Sequence, residues 1–156
     1  MIRLELNGWN AHIGFSASHL IPKHDKCGRL HGHNYAINAR IEGKKTSQGL
    51  VFDFLTLKKG LRKIADDLDH RTLIAKGGNT FEERGGEVEV TVGEKRYVFP
   101  RDDVVLLDIG HSTTEDLAKY VLDRFIKDNN IPENIEVVEI GVDESLGQGA
   151  WARREL

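Results

Sequence analysis

The chain has 156 residues, with 22 Lys+Arg against 25 Asp+Glu and a formal net charge of −3. That balance argues against nucleic acid as the main partner, because phosphate binding needs a clear cationic excess. A hydrophobic share of 39% beside 30% charged residues excludes wholesale disorder and suits one globular domain over residues 1–156. No window approaches the roughly 20 apolar residues that cross a bilayer, so no membrane partner is expected. The start, MIRLELNGWNAH, has neither a basic leader nor an apolar run, which leads to the expectation of a cytoplasmic protein. Cys27 is the single cysteine, so no internal disulfide can form.

In chain order, Trp9, Ala11, Ile13, Phe15, Ala17 and His19 alternate and predict a strand, Trp9 to His19. Ile2, Leu4 and Leu6 lie out of phase with that set, and a bulge near Asn7-Gly8 would restore the facing. A polar, turn-forming stretch, Pro22 to Arg29, leads into a second alternating strand, His31 to Ile41. Leu57, Leu61, Ile64 and Leu68 recur at helical spacing, with Asp53 or Thr56 available as the cap. The pairs Gly77-Gly78 and Gly85-Gly86 predict loop, Glu87 to Phe99 a hairpin turning near Gly93-Glu94, and Val104 to Ile109 a short strand. Ser112-Thr113-Thr114-Glu115 fits a capping box that opens a helix through Leu117, Val121 and Phe125. A last strand runs from Ile135 to Glu144. The class is α+β with an antiparallel sheet.

His31 and His33 flank Gly32, and residues two apart on a strand project from one face about 7 Å apart. His19, on the apolar-facing side of the preceding strand, supplies a third imidazole. Three neutral imidazoles suit Zn²⁺ at about 2.0–2.1 Å and leave a fourth position open for water or substrate. The bland alternative is a pair of polar residues at a sheet end. His12, His24 and His111 read as solvated or locally bonded histidines. Cys27 sits in a polar loop rather than an apolar run. Its thiolate would serve as base or nucleophile, or as a fourth ligand that closes the metal site. Asp69-His70 offers an imidazole beside a carboxylate, or a helix C-terminus complemented by a cation. Glu144, on the apolar-facing side of the last strand, needs a cation or a ligand with paired N–H donors.

FSASH (Phe15–His19), CGRLHGHNY (Cys27–Tyr35), GLVFDFLTLK (Gly49–Lys58), LDH (Leu68–His70), STTEDLA (Ser112–Ala118) and VDES (Val142–Ser145) occur in the order of the 6-pyruvoyl-tetrahydropterin synthase family. The chain resembles that family, which includes the 6-carboxy-tetrahydropterin synthases of queuosine and archaeosine precursor synthesis, over nearly all its length except about 77–108. The resemblance implies the tunnelling fold, an antiparallel four-stranded sheet with two helices on one side, here with an inserted hairpin around 87–99. It implies Zn²⁺ on His19, His31 and His33, Cys27 as catalytic base, Asp69 and His70 as the pair that activates the thiol from a neighbouring subunit, and Glu144 as the pterin anchor. It further implies a pterin triphosphate substrate and a homo-oligomer, trimer or hexamer, with sites at subunit interfaces. Lys23, Lys26 and Arg29 are candidates to meet the triphosphate. The leading activity is formation of 6-carboxy-tetrahydropterin; the alternatives are the pyruvoyl synthase and a non-catalytic pterin- or zinc-binding paralogue. The family's Pro-Thr-x-Glu-Asn reads Ser112-Thr113-Thr114-Glu115-Asp116 here, and its Glu-Thr reads Glu144-Ser145.

Overall fold

The computed structural model describes residues 1–156. Strand β1 (Ile2–Leu6) runs into a single helical turn, α1 (Gly8–Ala11), and then β2 (Gly14–His19). The expected bulge at Asn7-Gly8 is therefore a helical turn, and the predicted strand from Trp9 begins only at Gly14. Asn7 caps the turn by accepting from Asn10 N, and His12 closes it in the left-handed region at φ 52°. The cause is close packing: a Cβ at Gly8 would press on the backbone of Ile37 well inside 3 Å, so the chain can fold over that strand only here. Glycine permits the approach, and Asn38 Oδ1 receives the Gly8 N–H at 2.9 Å.

Strand β3 (His31–Gly43) is the spine of the sheet. Its first half pairs antiparallel with β2 and its second half with β1, so β1 and β2 form one column interrupted by α1. On its other side β3 pairs antiparallel with β9 (Ile135–Ser145), which pairs with β10 (Gln148–Glu155). Four antiparallel columns are thus present, as expected, with β10 an addition to the predicted elements. The sheet extends further: β4 (Arg71–Ala75) lies parallel to β2, and β8 (Val104–Leu107) lies parallel to β4, which makes the sheet mixed.

Helix α2 (Phe54–Leu68) is capped by Asp53, and α3 (Thr114–Asp128) by Thr113, whose side chain accepts from Asp116 N. Asp116 turns back to the His111 N–H at 2.8 Å, so the cap falls one residue later than the box at Ser112 and Glu115. Both helices lay their apolar stripes on one face of the sheet. Leu57, Leu61, Ile64 and Phe125 meet Phe15, Ile37, Ile41 and Ile140 in the main core. The segment around 87–99 is more than a hairpin. Thr80–Arg84 (β5), expected as loop, pairs with β6 (Glu87–Val92), which pairs with β7 (Lys95–Pro100). The inner residues of this three-stranded sheet, Val88 and Val90, pack on Ile74 and Val104 as a second small core. Charged Glu82, Glu83 and Arg84 hid β5 in a run that reads as polar.

Candidate functional site

His19 ends β2 and His31 begins β3, and the two are direct antiparallel partners. Ala17 faces His33 across the same pair of strands. Alternation therefore turns all three imidazoles to the side that carries the helices. Their ring centroids lie 4.6 Å (His19–His31), 5.2 Å (His19–His33) and 5.0 Å (His31–His33) apart. One ring nitrogen from each lies within 4.8 Å of the others, close enough to share one ion.

The outward nitrogens are already committed. His19 Nδ1 lies 2.7 Å from the Ser112 carbonyl, and His31 Nδ1 lies 2.7 Å from the Arg29 carbonyl. A carbonyl can only accept, so each Nδ1 carries the proton and each Nε2 presents a lone pair. The two Nε2 atoms face each other at 3.1 Å. Burial pushes the His19 imidazolium down to about 4, against the opposing pull of the Ser112 carbonyl and with a further lowering by His31 and His33. Three imidazoles within reach of one point, two of them aimed inward and anchored from behind, fit a divalent cation such as Zn²⁺. The Ser112 anchor is not legible in the sequence, since Ser112 is 93 residues from His19.

Glu144, near the end of β9, brings Oε2 to 3.8 Å from His33 Nε2, and its Oε1 accepts from Gln148 Nε2 at 3.0 Å. The acid thus borders the imidazole group and keeps one oxygen toward it. Cys27 is half-buried in the loop before β3 and is not one of the three clustered ligands. Its carbonyl accepts from Ile21 N at 2.8 Å and its N–H donates to His24 Nδ1 at 3.2 Å, so the turn around the thiol is internally bonded. His24, read from sequence as locally bonded, has this local role. Lys23 occupies the left-handed region at φ 67° in the same turn. His111 faces Asp116 at 3.8 Å, and His12 lies beside β2 next to α1.

Asp69 and His70 fall at the junction of α2 and β4. Asp69 Oδ1 accepts the Ser16 N–H at 2.7 Å, and Oδ2 accepts from His70 Nδ1 at 2.7 Å. These donors, the Ser16 N–H first, hold the Asp69 carboxyl below its usual value. His70 is a non-glycine residue at φ 55°, held there by its own N–H on Ser16 O at 2.7 Å. The pair is not part of the imidazole cluster. His70 lines a cleft of about 540 Å³ with Ser16, Ser18, Asn34 and Thr72, and His33 also borders it. One chain therefore brings together His19, His31, His33 and Glu144, and sets Asp69–His70 apart from them.

The fold matches solved 6-pyruvoyltetrahydropterin synthase structures. The Plasmodium vivax enzyme superposes with a TM-score of 0.92 at 28% identity, covering 99% of this chain and 98% of that one. The Plasmodium falciparum enzyme also gives 0.92, at 26% identity over 99% and 98%. The architecture is accordingly the tunnelling fold of the tetrahydropterin synthases, an enzyme class. The chain belongs to the 6-pyruvoyl tetrahydropterin synthase family, whose model matches residues 10–155. A Methanocaldococcus jannaschii protein bearing the provisional name 6-carboxy-5,6,7,8-tetrahydropterin synthase is 36% identical over 98% of this chain and 97% of its own. A Rickettsia conorii protein named 6-carboxy-5,6,7,8-tetrahydropterin synthase is 27% identical over 85% and 90%.

Proposed function

We propose that this chain is a zinc-dependent lyase that converts 7,8-dihydroneopterin triphosphate and water into 6-carboxy-5,6,7,8-tetrahydropterin, acetaldehyde and triphosphate. The observation that carries the reading is the convergence of three imidazoles on one point, with the Nε2 atoms of His19 and His31 aimed inward by carbonyls behind them. The names of its relatives support the choice of product. His19, His31 and His33 would hold Zn²⁺, which supplies Lewis acidity at a side-chain oxygen of the substrate. Glu144 anchors the pterin, because two carboxylate oxygens match the parallel N–H groups of its guanidine-like edge. Cys27 removes the proton from the side-chain carbon beside the ring. Asp69 remains a carboxylate and fixes the His70 tautomer, leaving Nε2 to exchange a proton with a thiol. Asp69 and His70 lie outside their own chain's three-imidazole cluster, and the pair serves the site of a second copy. The working form is a cytoplasmic homo-oligomer, trimer or hexamer, feeding queuosine or archaeosine precursor synthesis.

The thiol's place outside the imidazole cluster favours an open site over a binding-only paralogue with Cys27 as fourth ligand. The high structural similarity to the Plasmodium pyruvoyltetrahydropterin synthases favours the second reading, triphosphate elimination without side-chain cleavage. Incubation of the zinc-loaded protein with dihydroneopterin triphosphate, followed by mass spectrometry, separates these readings. Carboxy-tetrahydropterin with acetaldehyde is expected. Pyruvoyl-tetrahydropterin would replace the proposal with the second reading, and an unreacted substrate would leave the binding paralogue.

A further inference from the structure

We propose that the Tyr35 hydroxyl is the hydrogen-bond donor for the oxygen ligand that occupies the fourth position of the three-imidazole centre. The inference rests on the metal-site reading above. Tyr35 follows His33 by two residues on β3, so alternation puts it on the same face, one step deeper into the core. It is 2% exposed, and its ring stacks on Phe15 at 4.7 Å and 11°. That stack fixes the direction of the phenol. The ring stands nearly perpendicular to both His19 (6.1 Å, 87°) and His33 (5.6 Å, 75°).

The hydroxyl oxygen lies 3.4 Å from each ring nitrogen of His19. Equal distances mean that it is in line with neither. Nδ1 has no lone pair to offer, because its proton goes to the Ser112 carbonyl at 2.7 Å. The Nε2 lone pair points to the centre of the cluster, where His31 Nε2 lies at 3.1 Å. Once a cation takes that lone pair, the phenolic proton has no acceptor on His19. A buried O–H without an acceptor is costly, and an oxygen arriving beside Nε2 would supply the missing partner. A hydroxyl or enolate oxygen bound at the open vertex is in that position. The ligand class is thus an oxygen donor that gains negative charge on binding, and Tyr35 selects for it by one directed hydrogen bond.

Tyr35→Phe tests this, since it keeps the ring and the Phe15 stack and removes only the hydroxyl. The protein is loaded with Co²⁺ in place of Zn²⁺. Metal affinity is read by competition with a chelator, and acetohydroxamate, a small oxygen donor, is titrated through the visible cobalt bands. The variant is expected to hold cobalt within about threefold of the parent while binding acetohydroxamate about tenfold more weakly, the size of one lost hydrogen bond. Unchanged hydroxamate affinity would overturn the proposal. A fall in cobalt affinity of about a hundredfold or more would overturn it too, because Tyr35 would then be a metal ligand. If the parent binds cobalt and hydroxamate but turns over no pterin triphosphate, the proposed reaction fails while the role of Tyr35 is still decided.

Discussion

His19 carries the largest electrostatic consequence of any single residue in the centre. It is 1% exposed, and burial holds its folded-state value at about 4 against an ordinary 6.5. The unfolded chain therefore takes up the proton first as pH falls. Stability from the neutral, Ser112-anchored ring is fully present above 6.5 and is lost progressively as pH falls toward about 4. In chelator-treated protein, the denaturation midpoint should decline across this window. His19→Gln should flatten that part of the profile whatever its absolute stability. An equal pH slope in both proteins would show that His19 is not the titrating group. The same argument ties ion binding to pH, because metal and proton compete for Nε2.

At the scale of elements, the site depends on ends rather than middles. The C-terminus of α2 delivers Asp69 onto the Ser16 N–H, and the loop before α3 delivers the Ser112 carbonyl onto His19. The start of α2 is secured by Asp53, whose Oδ2 accepts from Thr56 N at 2.9 Å and Thr56 Oγ1 at 2.7 Å. Asp53→Ala should lower the denaturant midpoint of unfolding, as loss of a helix cap does. Because the cap is a full helix length from Asp69, occupancy of the metal centre should stay unchanged. A parallel loss of metal would mean that α2 shifts as a body. The periodicity of α2 and its Asp53 cap were legible from Leu57, Leu61, Ile64 and Leu68. By contrast, β5 was hidden because Glu82 and Arg84 give it a solvated face, and β10 because charged and small residues dominate Gln148–Glu155.

For the whole molecule, the decisive geometry is the separation of two chemical groups within one chain. His19, His31 and His33 cluster around one point, whereas His70 lies outside that cluster, in a cleft with Ser16, Ser18, Asn34 and Thr72 that His33 also borders. A shared site between copies follows from the proposed reaction, and complementation checks it. Cys27→Ala should retain metal yet abolish turnover, and His70→Ala should be nearly inactive. Dissociated, mixed in equal amounts and reassembled, the two should regain about a quarter of parental activity, since random pairing unites an intact thiol with an intact His70 in one site of four. Re-formed mixed oligomers without activity would place both residues in the site of a single chain.

Short-range physics made much of this protein readable from its residues alone. A two-residue repeat puts His31, His33 and Tyr35 on one face, helical spacing marks the stripes of α2 and α3, and the ordered motifs point to the pterin synthase family. What packing alone decided lies between residues distant in the chain. It split the first column at Gly8, laid β4 and β8 parallel to β2, and brought Ser112 behind His19 from 93 positions away. It also left His70 outside the imidazole cluster. Periodicity and capping act within a few residues and leave their mark in the sequence, whereas backbone carbonyls and close approaches have no side-chain signature until the chain has closed on itself.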